Sequence, residues 1–283
     1  MTNSVLTNAS ALIALQNLNS TNNKLAATQS RVNTGLKVQG AKDNAATWAI
    51  AQNQRADTGA LEAVKTSMNR ATSLADVSLA AGSQISDLLI ELREKATAAA
   101  DPSSTAASRK AYNDEFQSLL KSLNSFAKNA TFDGENILNG ASTTALDFLA
   151  NVGGTETISM NRQDMSLVGL NLDTTDFTAP ATAFDLLSAD NATSALNQVK
   201  LALDNANSKL AELGAQSKQI EKHNLFVGKL MDSLEVGIGN LVDADMAKES
   251  ARLQALQVQQ QLGAQALSIA NQAPQIILSL FKG

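Results

Sequence analysis

The sequence predicts a mainly α fold: long antiparallel coiled-coil helices with a small β-hairpin region in the middle. Three observations carry that expectation. Apolar residues recur in unbroken three-four spacing over long stretches. The composition is 44% apolar but only 4% aromatic, with three Pro in 283 residues, which favours long, closely packed helices over an aromatic-rich globule. One internal stretch alone collects the turn residues.

The first heptad run is Leu61, Val64, Met68, Ala71, Ala75, Ser78, Gly82, Ile85, Leu89, Leu92 and Ala96. It predicts a helix from about 43 to 98, roughly 80 Å long at 1.5 Å per residue, capped by Asp43. The second run is Tyr112, Phe116, Leu119, Leu123, Phe126 and Ala130, with Asp101-Pro102 read as its N-cap and first helical residue. The third is Leu196, Val199, Leu203, Ala206, Leu210, Leu213, Ser217, Ile220, Asn224, Val227, Met231 and Leu234, opened by Asp190 and broken by Gly237-Ile238-Gly239-Asn240. Ser78, Ser217 and Asn224 are read as register-setting polar seam positions.

Between about 133 and 189 the pattern changes. Phe132-Asp133-Gly134, Asn139-Gly140 and Gly153-Gly154 are turn signals. Leu146, Phe148, Ala150 and Val152 alternate before the Gly pair, and Ile158 and Met160 after it, which predicts a β-hairpin in a solvent-facing segment dense in Ser and Thr.

The two ends share a different property. Val5, Leu12, Leu15, Leu18, Leu25 and Val32 lie at one end; Met246, Leu253, Leu256, Val258, Leu262, Leu267 and Ile269 lie at the other. These apolar residues fall on more than one helical face, the sign of burial on more than one side, and short isolated helices are marginal in water. The expectation is that both ends become fully ordered only inside an assembly, and these residues are the candidate subunit interface.

Composition excludes much else. With no Cys and one His (His223), a zinc finger, a Cys nucleophile and a disulfide framework are out. No cofactor or metal is expected. A net charge of −5 without basic runs disfavours nucleic acid as a partner. No apolar stretch of about 18 residues implies a membrane span. Met1-Thr2-Asn3-Ser4 lacks the start of a secretory signal, leaving export by a dedicated machine open. Gly237-Ile238-Gly239 lacks the third Gly and preceding strand of a phosphate loop. No nucleophile–base pair supports an enzyme.

Residues Arg31 to Ile50, RVNTGLKVQGAKDNAATWAI, resemble the N-terminal signature of the bacterial flagellins. Ser250 to Gln275, followed by Leu278-Ser279-Leu280, resemble that family's C-terminal signature. Asn33, Gly40 and Thr47-Trp48 depart from the usual residues, as in the short, alphaproteobacterial type. The resemblance implies a secreted structural subunit that polymerises into the extracellular filament of the bacterial flagellum for swimming motility. In that arrangement 1–42 plus 237–283 are the inner-core terminal helices, 43–132 plus 190–236 the outer-core helical bundle, and 133–189 a short solvent-facing β-rich segment. Its implied partners are other flagellin subunits, a flagellar export chaperone, the type III export apparatus, and hook-associated and cap proteins. A secreted coiled-coil adaptor or effector, and a hook–filament junction protein, are the alternatives.

Two finer expectations follow from the resemblance. Glu91, Arg93, Glu94 and Lys95 occupy the place at which many flagellins are read by an innate immune receptor. Glu91 stands where receptor-binding relatives carry Arg, and Lys95 where they carry Leu, so weak receptor binding is expected; Glu91 and Lys95 are spaced as an i,i+4 pair. Thr155, Thr157, Ser159, Thr174, Thr175, Thr178 and Thr182 are candidates for O-glycosylation.

Overall fold

A computed structural model describes residues 8–172 and 184–280, with 273–280 by backbone alone. Five helices, α1 (Ala9–Thr34), α2 (Ala45–Ala100), α3 (Ala106–Asn129), α4 (Ala189–Val242) and α5 (Met246–Leu280), and two strands, β1 (Leu146–Leu149) and β2 (Thr157–Met160), are found among them. They form two compact units, Met1–Thr58 with Asp232–Gly283, and Gly59–Met231. Helices α2 and α4 each contribute to both.

In the larger unit the first heptad run is borne out residue for residue. Every member from Leu61 to Ala96 is buried, including Ser78, whose hydroxyl donates to the Leu74 carbonyl at 2.8 Å. This back-bonding satisfies a polar group inside the seam. Helices α2 and α4 run antiparallel. Asn224 Nδ2 donates to Asn69 Oδ1 at 2.8 Å, and Ser86 Oγ donates to Asn207 Oδ1 at 3.1 Å. Between these layers Gly82 leaves room for Leu210, whose Cδ2 would stand 2.5 Å from a Cβ at residue 82.

The other two runs are shifted in part. On α3 the buried residues are Phe116, Leu120, Leu123 and Ala127, while Phe126 is 40% exposed. At the start of α4, Ala195 and Ala202 are buried where Leu196 and Leu203 were expected; from Val199 and Ala206 onward Leu213, Ser217, Ile220 and Val227 keep to the expected seam. At Ala127, Ala195 and Ala202 a small residue takes the inner position and the larger neighbour (Phe126, Leu196, Leu203) lies at the edge.

Four expected boundaries are corrected. Asn44, not Asp43, caps α2: its Oδ1 accepts from Thr47 N at 3.1 Å, while Asp43 accepts from Gln39 N at 2.9 Å. Asp101 caps only a turn, accepting from Ser103 N at 2.8 Å; Thr105 caps α3 by accepting from Ser108 N at 3.1 Å. Ser188 caps α4, accepting from Asn191 N at 3.1 Å, with Asp190 already in the first turn. The helix runs through Gly237 and Gly239 to Val242, since a Gly inside a helix costs only about 1 kcal/mol.

The hairpin forms as expected. β1 and β2 are antiparallel, with Leu146 opposite Met160 and Leu149 opposite Thr157. Its apolar side is seated on the long helices: Leu149 N donates to Ser67 Oγ at 3.1 Å, Asn161 N to Gln216 Oε1 at 3.0 Å, and His223 Nε2 lies 2.7 Å from the Ala150 carbonyl. Ile137, Leu138, Met160, Met165, Leu170 and Leu172 are essentially inaccessible. The hairpin and the described residues 137–172 around it therefore face solvent on one side only.

Candidate assembly interface

The smaller unit is built from the two ends of the chain. Asn8 caps α1, its Oδ1 accepting from Ala11 N at 3.1 Å, and the same side chain donates through Nδ2 to the Ala270 carbonyl of α5 at 2.7 Å. Gln260 Nε2 donates to Asn22 Oδ1 at 2.8 Å, and Arg31 Nη1 lies 3.4 Å from Glu249 Oε1. As residue numbers rise on α1 their partners fall on α5, so the helices pair antiparallel.

The shielded residues of both helices follow heptad spacing. On α1 the seam carries Ala11, Ala14, Leu18, Thr21, Leu25, Thr28 and Val32, with Asn22, Ser30 and Arg31 half-buried beside it. On α5 it carries Glu249, Leu253, Leu256, Gln260, Gly263, Leu267 and Ala270. Gly263 is a hole for a knob: a Cβ there would sit 3.2 Å from Leu18 Cδ1. The seam is rich in small and polar residues for a coiled coil. Glu249 is 8% exposed, and its Oε2 has no hydrogen-bond partner among the described residues. An orphaned buried acceptor costs about 1–3 kcal/mol.

Beyond the seam the two chain ends stay together. Gly35 ends α1 at φ +73, its N–H donating to the Arg31 carbonyl at 2.9 Å, a left-handed conformation that glycine adopts freely. Lys37 N and Val38 N then both donate to the Val242 carbonyl, at 2.7 and 3.2 Å, and Ala244 N donates to the Gly35 carbonyl at 2.8 Å. Val38, Ala51 and Val242 form a core flanked by Leu36, Trp48, Ile238 and Leu241. Trp48, a departure in the N-terminal signature, thus has a packing role.

The interface residues expected from sequence divide into two sets. Leu18, Leu25, Val32, Leu253, Leu256 and Leu267 lie on the intrachain seam. Leu12 (62% exposed), Leu15 (43%), Met246 (43%), Val258 (54%), Leu262 (58%) and Ile269 (69%) point away from it, joined by Ile13 (60%). Val5 lies outside the described residues. Sequence reasoning missed Asn8, Asn22, Arg31, Glu249, Gln260 and Gly263. Glu249, Gln260 and Gly263 keep the heptad spacing of α5, which was the available signal, but a count of apolar residues passes over them; Asn8, Asn22 and Arg31 flank the α1 seam and carry no such signal.

The other expected sites are placed as follows. Glu91, Arg93 and Glu94 are exposed on α2. Lys95 Nζ reaches Glu115 Oε2 on α3 at 2.7 Å, so the expected Glu91–Lys95 pairing is replaced by an interhelical one. The Glu115 carboxylate raises the Lys95 ammonium above its ordinary pKa, first by hydrogen bonding and then by charge. Thr155, Thr157 and Ser159 are exposed on the hairpin. The Ser159 hydroxyl donates to Asp147 Oδ1 at 2.6 Å. Thr174, Thr175, Thr178 and Thr182 lie outside the described residues. Among the described residues no group of three His, Cys, Asp or Glu side chains could hold a metal ion, and no helix is long and apolar enough to cross a membrane.

Long paired helices, with an apolar face left uncovered on the terminal pair, define a coiled-coil structural protein. Residues 5–143 match the family described as the bacterial flagellin N-terminal helical region, and residues 189–281 match the bacterial flagellin C-terminal helical region. Flagellin FljK of Caulobacter vibrioides is 50% identical over 281 residues, covering 99% of each chain. A flagellin of Brucella melitensis is 41% identical over 291 residues and flagellin C of Rhizobium meliloti 33% over 321, again at 99% of each chain. The fold is similar to that of a putative flagellar hook-associated protein from Vibrio parahaemolyticus, with a TM-score of 0.56 at 11% identity, covering 71% of this chain and 100% of that one. The chain belongs to the bacterial flagellin family, and is a structural subunit of the extracellular flagellar filament.

Proposed function

We propose that the uncovered rows of the terminal pair are the surface by which one subunit docks onto the next. Leu12, Leu15, Val258, Leu262 and Ile269 carry this reading, because large aliphatic side chains stand in water on helices that already use their other face. Full burial of one such side chain is worth about 1.5–3 kcal/mol; the half already shielded is not gained again. Roughly 1 kcal/mol from each is comparable in sum with the 4–15 kcal/mol or more that an association costs. One neighbour is therefore insufficient, and stability comes from several contacts per subunit. A contact surface that does not close on itself extends into a helical array.

On this reading 1–42 plus 237–283 form the inner layer and 43–132 plus 190–236 the outer, with the exposed side of 133–189 toward solvent. Export by the type III apparatus, with a chaperone covering the apolar ends beforehand, suits a chain with no Cys and an incomplete terminal unit. Hook-associated and cap proteins would meet the same surfaces at the filament's ends. The protein's work is mechanical, with no catalysis. Exposed Thr155, Thr157 and Ser159 are accessible for O-glycosylation, and intact-mass measurement of native filaments reads its presence. Glu91 and the Glu115-bound Lys95 make a poor surface for the innate receptor; a reporter assay should show potency below that of an enteric flagellin.

The docking surface is tested by Leu262→Ser with Ile269→Ser. Circular dichroism should retain the helices of the larger unit while sedimentation shows no filaments at concentrations where the wild type polymerises. Wild-type polymerisation of this variant would overturn the reading.

A further inference from the structure

The seam of the terminal pair contains a residue that opposes its own burial. Glu249, on α5, is the only buried ionisable side chain among the described residues. Its Oε2 is cut off from water and has no hydrogen-bond partner there. Its Oε1 lies 3.4 Å from Arg31 Nη1, well beyond the about 2.7–2.9 Å of a charge-assisted bond. The Arg31 side chain keeps 30% of its surface in water. The carboxylate has thus lost its hydration almost completely and received one long, single-pronged contact in return.

Other polar groups on the seams are better served. Ser78, buried in the larger unit, is satisfied by its own helix at 2.8 Å, and the Asn22–Gln260 contact closes at 2.8 Å. The two buried side-chain atoms that lack a partner among the described residues, Glu249 Oε2 and Gln54 Oε1, both fall in the smaller unit. The start of α5 does not depend on Glu249. Asp245 caps it, accepting from Lys248 N at 3.1 Å, and already places a negative charge at the helix N-terminus. The next two seam positions are Leu253 and Leu256, so an apolar residue at 249 would continue the pattern of that face.

We propose that Glu249 is a brake on self-nucleation. It holds the α1–α5 pair below the stability at which the pair forms alone, so that subunits extend an existing filament far more readily than they start a new one. This rests on the docking surface proposed above. An orphaned buried acceptor weakens the structure that contains it by about 5- to 150-fold. A subunit joining a filament end meets that penalty once, against neighbours whose terminal pairs are already ordered. A new nucleus meets it once for every subunit it contains, before those contacts exist, and the factors multiply because their free energies add. A modest defect in each copy is therefore a small obstacle to growth and a large one to nucleation.

The test uses the full-length protein carrying Glu249→Met, which replaces the carboxylate by an unbranched, flexible apolar side chain and leaves the Arg31 guanidinium to reach into water. In dilute monomer, hydrogen-exchange protection of residues 9–34 and 246–272 should rise by about 10-fold, within the range set by one orphaned acceptor, while 61–96 is unchanged. In unseeded assembly followed by light scattering, the lag should shorten by a larger factor than the critical concentration of seeded growth falls. Glu249→Leu should act in the same direction, which separates removal of the carboxylate from the packing of one particular side chain. Protection of the two ends that is unchanged or lower in both variants would overturn the proposal. So would a lag and a critical concentration that fall by the same factor. The exchange measurement is made on monomer and does not involve the docking surface, so its failure would leave that reading to be judged by Leu262→Ser with Ile269→Ser.

Discussion

Gly263→Leu overpacks the terminal coiled coil at a seam position that has no room for a large side chain. Gly263 is a seam position of α5, and a Cβ there would stand 3.2 Å from Leu18 Cδ1 and 3.9 Å from its Cβ. A single methyl displaces only the tip of Leu18 by a few tenths of an ångström, and Ala gains about 0.8–1.0 kcal/mol of helix propensity over Gly. Gly263→Ala should therefore be neutral or slightly favourable. A leucine has no such room, and overpacking a seam costs about 1–3 kcal/mol. If the terminal pair must form for polymerisation, that penalty raises the critical concentration by about 5- to 150-fold. The assay is the concentration of protein left in the supernatant after filaments are pelleted at steady state. Leu18→Ala added to Gly263→Leu exchanges knob and hole and should recover part of the loss. Polymerisation of Gly263→Leu at the wild-type critical concentration, or greater damage from Gly263→Ala, would refute a seam hole at residue 263.

Phe116 and Phe184 lie with ring centroids 5.4 Å apart at 52°, joining α3 to the stretch before α4. Single Ala substitutions should each destabilise by about 3–5 kcal/mol, and a double-mutant cycle in urea should give a coupling of about 0.5–1.5 kcal/mol; additive effects would deny the contact. The Lys95 ammonium is held above the ordinary lysine pKa of 10.5 by its hydrogen bond to Glu115 and by that carboxylate's charge. Its contribution to stability is thus complete below pH 10.5 and declines as pH climbs through the higher folded-state value. Glu115→Gln should lower the melting temperature slightly at neutral pH and low salt, with the gap to wild type closing in strong alkali. A gap that persists undiminished there would remove the ion pair as its cause.

Long-range organisation was legible because heptad spacing survives even where seam residues are Ala, Ser or Gly: the run from Leu61 to Ala96 contains Ser78 and Gly82 and still marks one face. Local boundaries were less so. Asp43 and Asn44 are adjacent acceptors of nearly equal capping power, and only the fold decides which serves α2. Between Asp101 and Ser108 several Asp, Ser and Thr residues compete, and Thr105 wins. Pro102 sits in the preceding turn rather than at the helix start. On α3, Phe116 and Leu123 belong to either of two adjacent faces, and the burial of Leu120 and Ala127 could not be separated from Leu119 and Phe126 by hydrophobicity alone.

The candidate interface was half legible for a related reason. Leu12, Val258, Leu262 and Ile269 announce themselves as apolar, but so do Leu18, Leu25 and Leu256, which the chain covers itself. Asn22 with Gln260 and Gly263 with Leu18 reveal which face is which, and they enter only once both helices are placed side by side. The Lys95 pairing shows the same limit. Its nearest opposite charge along the sequence face was Glu91, yet the packing of α3 supplied Glu115.

On the proposed function, the terminal unit is incomplete until neighbouring copies cover it. Hydrogen exchange measured on the amides of 9–34 and 246–280, in dilute monomer and in filaments, tests this directly. Protection of these residues should be low in the monomer and rise sharply in the filament, while 61–96 stays protected in both. Equal and strong protection of the two ends in both states would contradict the account.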